Sequence, residues 1–162
     1  MKTAAIVLSV LVLIAGAAIG YELFNTALVL KGTYVQTFSA SEREQEFQSL
    51  HNAAEQNAVQ GTLLRGTKWQ TSGHYTYHVY TLRLKNPGLL PAEMVEMQVV
   101  PIAEDVLFYG ETGKIDLAPG EERNLSVVLL SEGQPHEVRE IKITYYIWGH
   151  AQEVKFTCEG DR

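Results

Sequence analysis

With 162 residues, the chain has room for one domain of ordinary size, roughly 100 to 150 residues, plus appendages, and not for a second substantial core. A net charge of −6 with scattered basic residues excludes the Lys/Arg stripe that a phosphate backbone requires, so no nucleic acid is expected as a partner. The only cysteine, Cys158, excludes an internal disulfide and a cysteine-based zinc cluster. On a strand it reads as a small buried hydrophobe, although outside the cytoplasm it could pair with another chain.

Residues 3–20 carry no charge and as a helix would measure about 27 Å, close to the roughly 30 Å hydrocarbon core of a bilayer. Ile6, Leu8, Leu11, Leu13, Ile14 and Ile19 supply the membrane-anchoring surface, and Tyr21 stands where an interfacial aromatic belongs. Leu23, Phe24, Ala27 and Leu28 then repeat at helical spacing, which predicts a stalk continuing towards Lys31. A secretory signal is the competing reading, since Lys2 is a basic start and Ala15-Gly16-Ala17 a small-x-small cleavage site. The anchor is preferred because the apolar run is longer than the ~7 to 15 residues of a usual signal core and the helical pattern runs past the candidate site. Both readings place the rest of the chain outside the cytoplasm. The expected localisation is the cell membrane, single-pass, with a secreted form after cleavage as the alternative.

Residues 33–38 are β-prone, and Ser41 with Glu44 three residues later reads as a capping box opening a helix. Within 42–59, Phe47, Leu50, Ala54 and Ala58 form a narrow amphipathic stripe that either packs on the domain that follows or makes a seam for a partner helix. The organisation read from the sequence is thus an anchor with stalk at 1–31, a linker with an amphipathic helix at 32–60, and a β domain at 61–162.

Beyond Gly61 the apolar period becomes two, predicting strands at 62–70, 75–85, 93–102, 106–109, 114–117, 123–130, 138–148 and 152–158. Asn86-Pro87-Gly88 and Ala118-Pro119-Gly120-Glu121 are turn chemistry between them, and Gly149-His150 suits a two-residue hairpin with Gly first. Leu125, Val127 and Leu129 share one face; Ile141, Ile143, Tyr145 and Ile147 share another, and Val154 and Phe156 complete a candidate core. Seven or eight short antiparallel strands predict a mainly β, immunoglobulin-like sandwich.

The stretch from Tyr80 to Gly88, with Leu90-Pro91-Ala92 and later Leu117-Ala118-Pro119-Gly120-Glu121, resembles the CARDB-type and related immunoglobulin-like domains of prokaryotic cell-surface proteins. A strand there ends in Asn-x-Gly, Pro-Ala opens the next, and Pro-Gly-Glu precedes another. The order of parts, membrane helix, short polar helix and sandwich, is similar to that of archaellum stator subunits. The resemblance covers about 62–158 and rests on turns, so it implies a fold and brings no functional residue with it.

Candidate chemistry is sparse. His74 and His78 on a strand lie about 13 Å apart and cannot share one ion directly, while His51 and Glu55, one helical turn apart, have no identifiable third ligand. Gly110-Glu111-Thr112-Gly113-Lys114 resembles a phosphate-binding loop only superficially, since Phe108 and Ile115 replace its first glycine and its hydroxyl. The pairs Glu93/Glu96, Glu104/Asp105 and Glu121/Glu122 fall at strand edges or turns where solvated charge is expected. No catalytic residue, cofactor or metal is therefore expected. Asn124-Leu125-Ser126 fits a glycosylation acceptor but lies within a predicted strand. The surplus is aromatic: Tyr75 with Tyr77, and Tyr146 with Trp148, share strand faces and are candidate partner contacts.

The expected function is that of a membrane-anchored extracytoplasmic module for protein–protein interaction or envelope assembly. Its expected partners are the lipid bilayer through the N-terminal helix and an envelope protein or a second copy of itself. A pilin-like filament subunit and an extracytoplasmic ligand-binding or enzymatic domain are the alternatives.

Overall fold

The computed structural model describes residues 2–25, 27–56, 58–59, 61–64, 69–110, 113–133 and 138–159. Helix α1, Lys2–Asn25, contains an apolar stretch, Thr3–Tyr21, of which none is buried. Ile6, Leu8, Leu11, Leu13, Ile14, Ile19 and Tyr21 are all exposed on it. The helix is long and apolar enough to cross a membrane, a criterion that a signal sequence also meets.

The helical repeat expected to run to Lys31 gives way after Asn25. Leu28 is buried in the core, and its N–H donates to the Tyr145 hydroxyl at 3.3 Å. Strand β1, Val29–Ser39, then pairs antiparallel with β3, Tyr75–Lys85, from Val29↔Lys85 to Ser39↔Thr76. Ladder hydrogen bonds along β1 and burial of Leu28 outweigh the local helical repeat. The 32–60 stretch read as a linker therefore contributes most of a sheet strand.

A 3-10 turn, Ala40–Arg43, leads into helix α2, Glu44–Glu55. The capping box expected at Ser41 is not formed. Ser39 Oγ accepts the Ser41 N–H, and the Glu44 carboxylate instead takes hydrogen bonds from Ser72 and from Gln48 at 2.7 Å. These contacts, the one from Ser72 foremost, hold the Glu44 carboxyl below its ordinary range. Of the two fates open to the amphipathic stripe, packing on the β domain is the one realised: Phe47 is buried and Leu50 half-buried against the sheet.

Nine strands are found among the described residues. The remaining ones are β2 (Thr62–Leu63), β4 (Ala92–Val99), β5 (Asp105–Gly110), β6 (Ile115–Leu117), β7 (Glu122–Glu132), β8 (Val138–Ile147) and β9 (His150–Glu159). They form two antiparallel sheets, ordered β1-β3-β7-β5-β2 and β6-β4-β8-β9. Of the strand expected at 62–70 only Thr62–Leu63 is realised, and 65–68 lie outside the described residues. Gly61 at its start is required by close approach, since a Cβ there would stand 2.6 Å from the Phe108 carbonyl oxygen.

Period-two alternation divides β3 and β7 between two cores. Tyr80, Leu82 and Leu84 of β3, Leu125, Val127 and Leu129 of β7, and Ile141, Ile143, Tyr145 and Ile147 of β8 meet between the sheets. Val154 and Phe156 line the same space, half-buried. Tyr75, Tyr77 and Val79 of β3 and Val128 and Leu130 of β7 point the other way and are covered by α2. Each fully buried Leu or Ile contributes about 2 kcal/mol, so the inter-sheet layer dominates stability. Cys158 is buried there, and burial pushes its thiol up to about 11, leaving it neutral and inaccessible for pairing with another chain.

Candidate interaction surface

At the end of the sandwich where the chain arrives from α1, two turns are joined by one buried residue. Asn86 follows the last residue of β3 and is fully enclosed. Its Nδ2 donates to the carbonyls of Leu90 at 2.8 Å and Leu117 at 3.0 Å, and its Oδ1 accepts the Gly88 N–H at 3.0 Å. Its backbone N–H donates to the Glu121 carbonyl, and its own carbonyl accepts the Gly120 N–H at 2.8 Å. The two turn motifs are thus one hydrogen-bonded unit. Glu121 completes it by accepting the Ala118 N–H at 2.8 Å and pairing with Arg123 at 2.6 Å, and these contacts, the Ala118 N–H first, hold its carboxyl below the ordinary range. Leu89 stands on this braced loop with 75% of its surface exposed.

The β8–β9 hairpin closes at the same end. Ile147 pairs with His150, so the two-residue turn is Trp148-Gly149, one position earlier than the Gly149-His150 expected. Both turn residues have positive φ, 49° and 76°, the geometry that matches the right-handed twist of a hairpin. Asn or Gly holds the first position without strain, whereas a bulky residue there costs roughly 1–2 kcal/mol. Trp148 is nevertheless there, 64% exposed. The other non-glycine residue with positive φ among the described residues is Met94, in a bulge of β4 with its N–H donating to Asp116 Oδ1 at 2.7 Å. Its neighbour Glu93 pairs with Tyr146, and both Met94 and Tyr146 are exposed. Backbone strain and exposed apolar side chains therefore coincide at one end of the molecule.

The other two aromatic candidates do not join this surface. Tyr75 and Tyr77 are buried beneath α2, where the Tyr75 ring lies 5.2 Å from Phe47 and the Tyr77 ring 5.4 Å from Phe38. Trp69 fills the same cluster, 5.5 Å from Phe47. The Tyr75 hydroxyl accepts the Gln70 N–H at 2.9 Å, and burial raises the Tyr77 phenol well above its usual range. As partner contacts these two tyrosines are corrected to core residues, because the amphipathic helix covers their face.

The histidines also separate. His74 is exposed beside Thr71, whereas His78 points between the sheets with Nδ1 3.2 Å from Thr37 Oγ1 and Nε2 2.9 Å from Ser131 Oγ. His51 lies 3.4 Å from Glu55 on α2 and stacks on Phe47. Among the described residues no group of three His, Cys, Asp or Glu could hold a metal ion. Of the loop at 110–114, Glu111 and Thr112 lie outside the described residues. Asn124 of the possible glycosylation triplet is exposed on β7.

Of the carboxylate pairs, Glu96 meets Lys114 at 3.2 Å and Glu122 meets Arg83 at 2.9 Å on the surface. Asp105 is different. It is buried with Arg139, whose Nη1 and Nη2 lie 3.1 and 2.5 Å from its two oxygens, and it also accepts the Ile102 N–H. Nothing in the sequence signals this pair, whose members are 34 residues apart. It closes the interior at the end opposite Asn86; Tyr80, midway along β3, has its phenol pushed up by burial to about 12. Surface depressions, such as one of about 400 Å³ lined by Ser39, Gln70, His74, Tyr75 and Glu132, are open to solvent.

No family model and no curated protein matches this sequence. Among solved structures the fold is loosely similar to a FixG-related protein from Vibrio parahaemolyticus, at 15% identity and a TM-score of 0.36, covering 80% of this chain and 97% of that one. It is also loosely similar to the GAE domain of yeast GGA1, at 13% identity and a TM-score of 0.37, covering 64% of this chain and all of that domain. Likenesses this loose carry no functional argument.

Proposed function

We propose that this chain is a membrane-anchored, extracytoplasmic module whose immunoglobulin-like sandwich contacts or positions other envelope proteins. The observation that carries the reading is the abrupt join between α1 and the sandwich: an exposed apolar helix ends at Asn25, and the chain is buried in the β domain by Leu28. A helix with apolar side chains on all sides and no packing partner among the described residues needs lipid around it. So short a join keeps the sandwich close to the membrane surface.

The sheet edges support a protein partner. Two of the four outer strands, β2 and β6, have only 2 and 3 residues, whereas β1 and β9 have 11 and 10. β4 packs over β7 and β5, and the N–H of Leu28, just before β1, reaches the Tyr145 hydroxyl of β8, so β8 and β9 lie towards β3 and β1 and the two long edges share a flank. A long edge presents unpaired N–H and C=O groups on which a strand of another protein can add. β1 is interrupted by a bulge between Leu30 and Gly32, while β9 pairs without a break from His150 to Glu159. β9 is therefore the edge on which a partner strand adds.

Photo-crosslinkers placed at Glu153 and at Thr157 in the membrane-bound full chain test this. One discrete adduct from β9, to an envelope protein or to a second copy, is expected, with none from a control at Gln45 on the exposed side of α2. Equal, diffuse labelling from all three positions overturns the partner half of the reading. Protease accessibility of the sandwich from the cytoplasmic side overturns the extracytoplasmic half.

A further inference from the structure

We propose that the α1-proximal end of the sandwich is itself a membrane contact, in which Trp148, Leu89, Met94 and Tyr146 seat in the headgroup–acyl boundary of the bilayer that α1 crosses. The inference rests on the anchor half of the function proposed above.

Topology puts these residues at the anchor. β1 starts there, with Val29 opposite Lys85 at the end of β3, and Lys85 opposite Glu122 at the start of β7. In the facing sheet Ala92 pairs with both Leu117 and Ile147, so the loop carrying Leu89 and the hairpin carrying Trp148 close at this same end. Four residues of α1 beyond Tyr21 rise about 6 Å, and the three that lead to Leu28 span at most about 10 Å. Trp148 lies three residues beyond Tyr145, the residue whose hydroxyl receives the Leu28 N–H, which carries it roughly 10 Å further along β8 towards that end. The headgroup layer on one side of a bilayer is about 5 to 7 Å deep, so the tip of the hairpin falls within its reach.

The chemistry fits an interfacial seat. Trp and Tyr concentrate at the boundary between headgroups and acyl chains, where an apolar ring and a polar N–H or O–H are both satisfied. Trp148 occupies a turn position that its own backbone disfavours, and the Asn86 unit braces the loop that presents Leu89. Arg123 pairs with Glu121 and both Arg83 and Lys85 with Glu122, so the exposed Lys31 beside the start of β1 stands as a single cation and the described residues form no cationic patch for anionic lipid. The contact is therefore apolar and aromatic, insensitive to salt, and made to zwitterionic phospholipid.

The sequence holds two tryptophans, and Trp69, packed among Phe47, His51 and Tyr75 at the far end, is the internal control. The full chain is reconstituted in phosphatidylcholine vesicles whose acyl chains carry bromines either near the ester end or near the methyl end. Wild-type emission is expected to fall in the ester-end vesicles, unchanged by added salt, and Trp148→Phe is expected to abolish that loss. Leu11→Trp in the Trp148→Phe background reports the anchor, with quenching expected in the methyl-end vesicles. If Leu11→Trp is quenched while wild type and Trp148→Phe lose the same fraction of emission, the docking is overturned and the anchor stands. If neither is quenched, anchor and docking fall together.

Discussion

The two ends of the sandwich treat the same kinds of side chain in opposite ways. Away from α1, Trp69, Tyr75 and Tyr77 lie under a helix whose Phe47 is buried among them, and the interior beyond is closed by the Asp105–Arg139 pair. Next to α1, Trp148 and Tyr146 have no such cover, and hydrogen bonds from Asn86 hold the neighbouring turns in place. Aromatic rings at the first end supply buried area; at the second they remain available to something outside the chain. The difference lies in what the chain has left to pack on them, since α2 is the one short amphipathic helix among the described residues.

The largest expected effect breaks the covered end. Phe47→Ala removes the ring at the centre of the α2 interface and should cost about 4 kcal/mol in chemical denaturation, with Trp69 emission shifting red as the cluster opens. Stability and emission that stay unchanged would show that α2 does not hold this face.

Asn86→Ala breaks the brace at the other end. It leaves the half-buried Leu90 and the buried Leu117 carbonyls without their donor and should cost about 2 kcal/mol. Faster amide exchange should be confined to the turns at 86–91 and 118–121, leaving α2 as protected as before.

Trp148→Asn sharpens the comparison because its sign is reversed. Asn accepts positive φ, so the substitution should stabilise the fold by about 1 kcal/mol while removing the proposed contact with lipid. A destabilised variant would mean that the ring packs on the sandwich after all.

The smallest effect is electrostatic. The folded-state pKa of Glu121 is depressed, so its contribution is fully present above the ordinary carboxylate range and is lost as pH falls through the folded value. Thermal midpoints should therefore fall more on acidification for wild type than for Glu121→Gln, and equal slopes would remove Glu121 from the brace.

Much of the strand pattern was legible beforehand. The alternation over Tyr75–Lys85 marks β3 to the residue, and Ile141, Ile143, Tyr145 and Ile147 do face the core together. Boundaries were legible only where local chemistry decides them. The hairpin turn is Trp148-Gly149 because pairing register, set by the buried face of β8, outranks the preference for a glycine at the first turn position. The helix stops at Asn25 because a ladder partner exists 50 or so residues later, which no local window contains.

For the site, Asn86-Pro87-Gly88 and the Pro-Gly-Glu turn were each readable as turns, and Tyr146 and Trp148 as aromatics sharing a face. The bonds that unite the two turns, and the ion pair of Asp105 with Arg139, join residues about 30 positions apart that share no spacing rule. By itself the sequence determined an apolar helix of membrane-spanning length and the alternation that makes two sheets, because both follow from periodicity along one segment. Only the tertiary structure decided which aromatic pair is covered and which is exposed. Coverage depends on where α2 docks, and docking is a contact between elements rather than a property of either one.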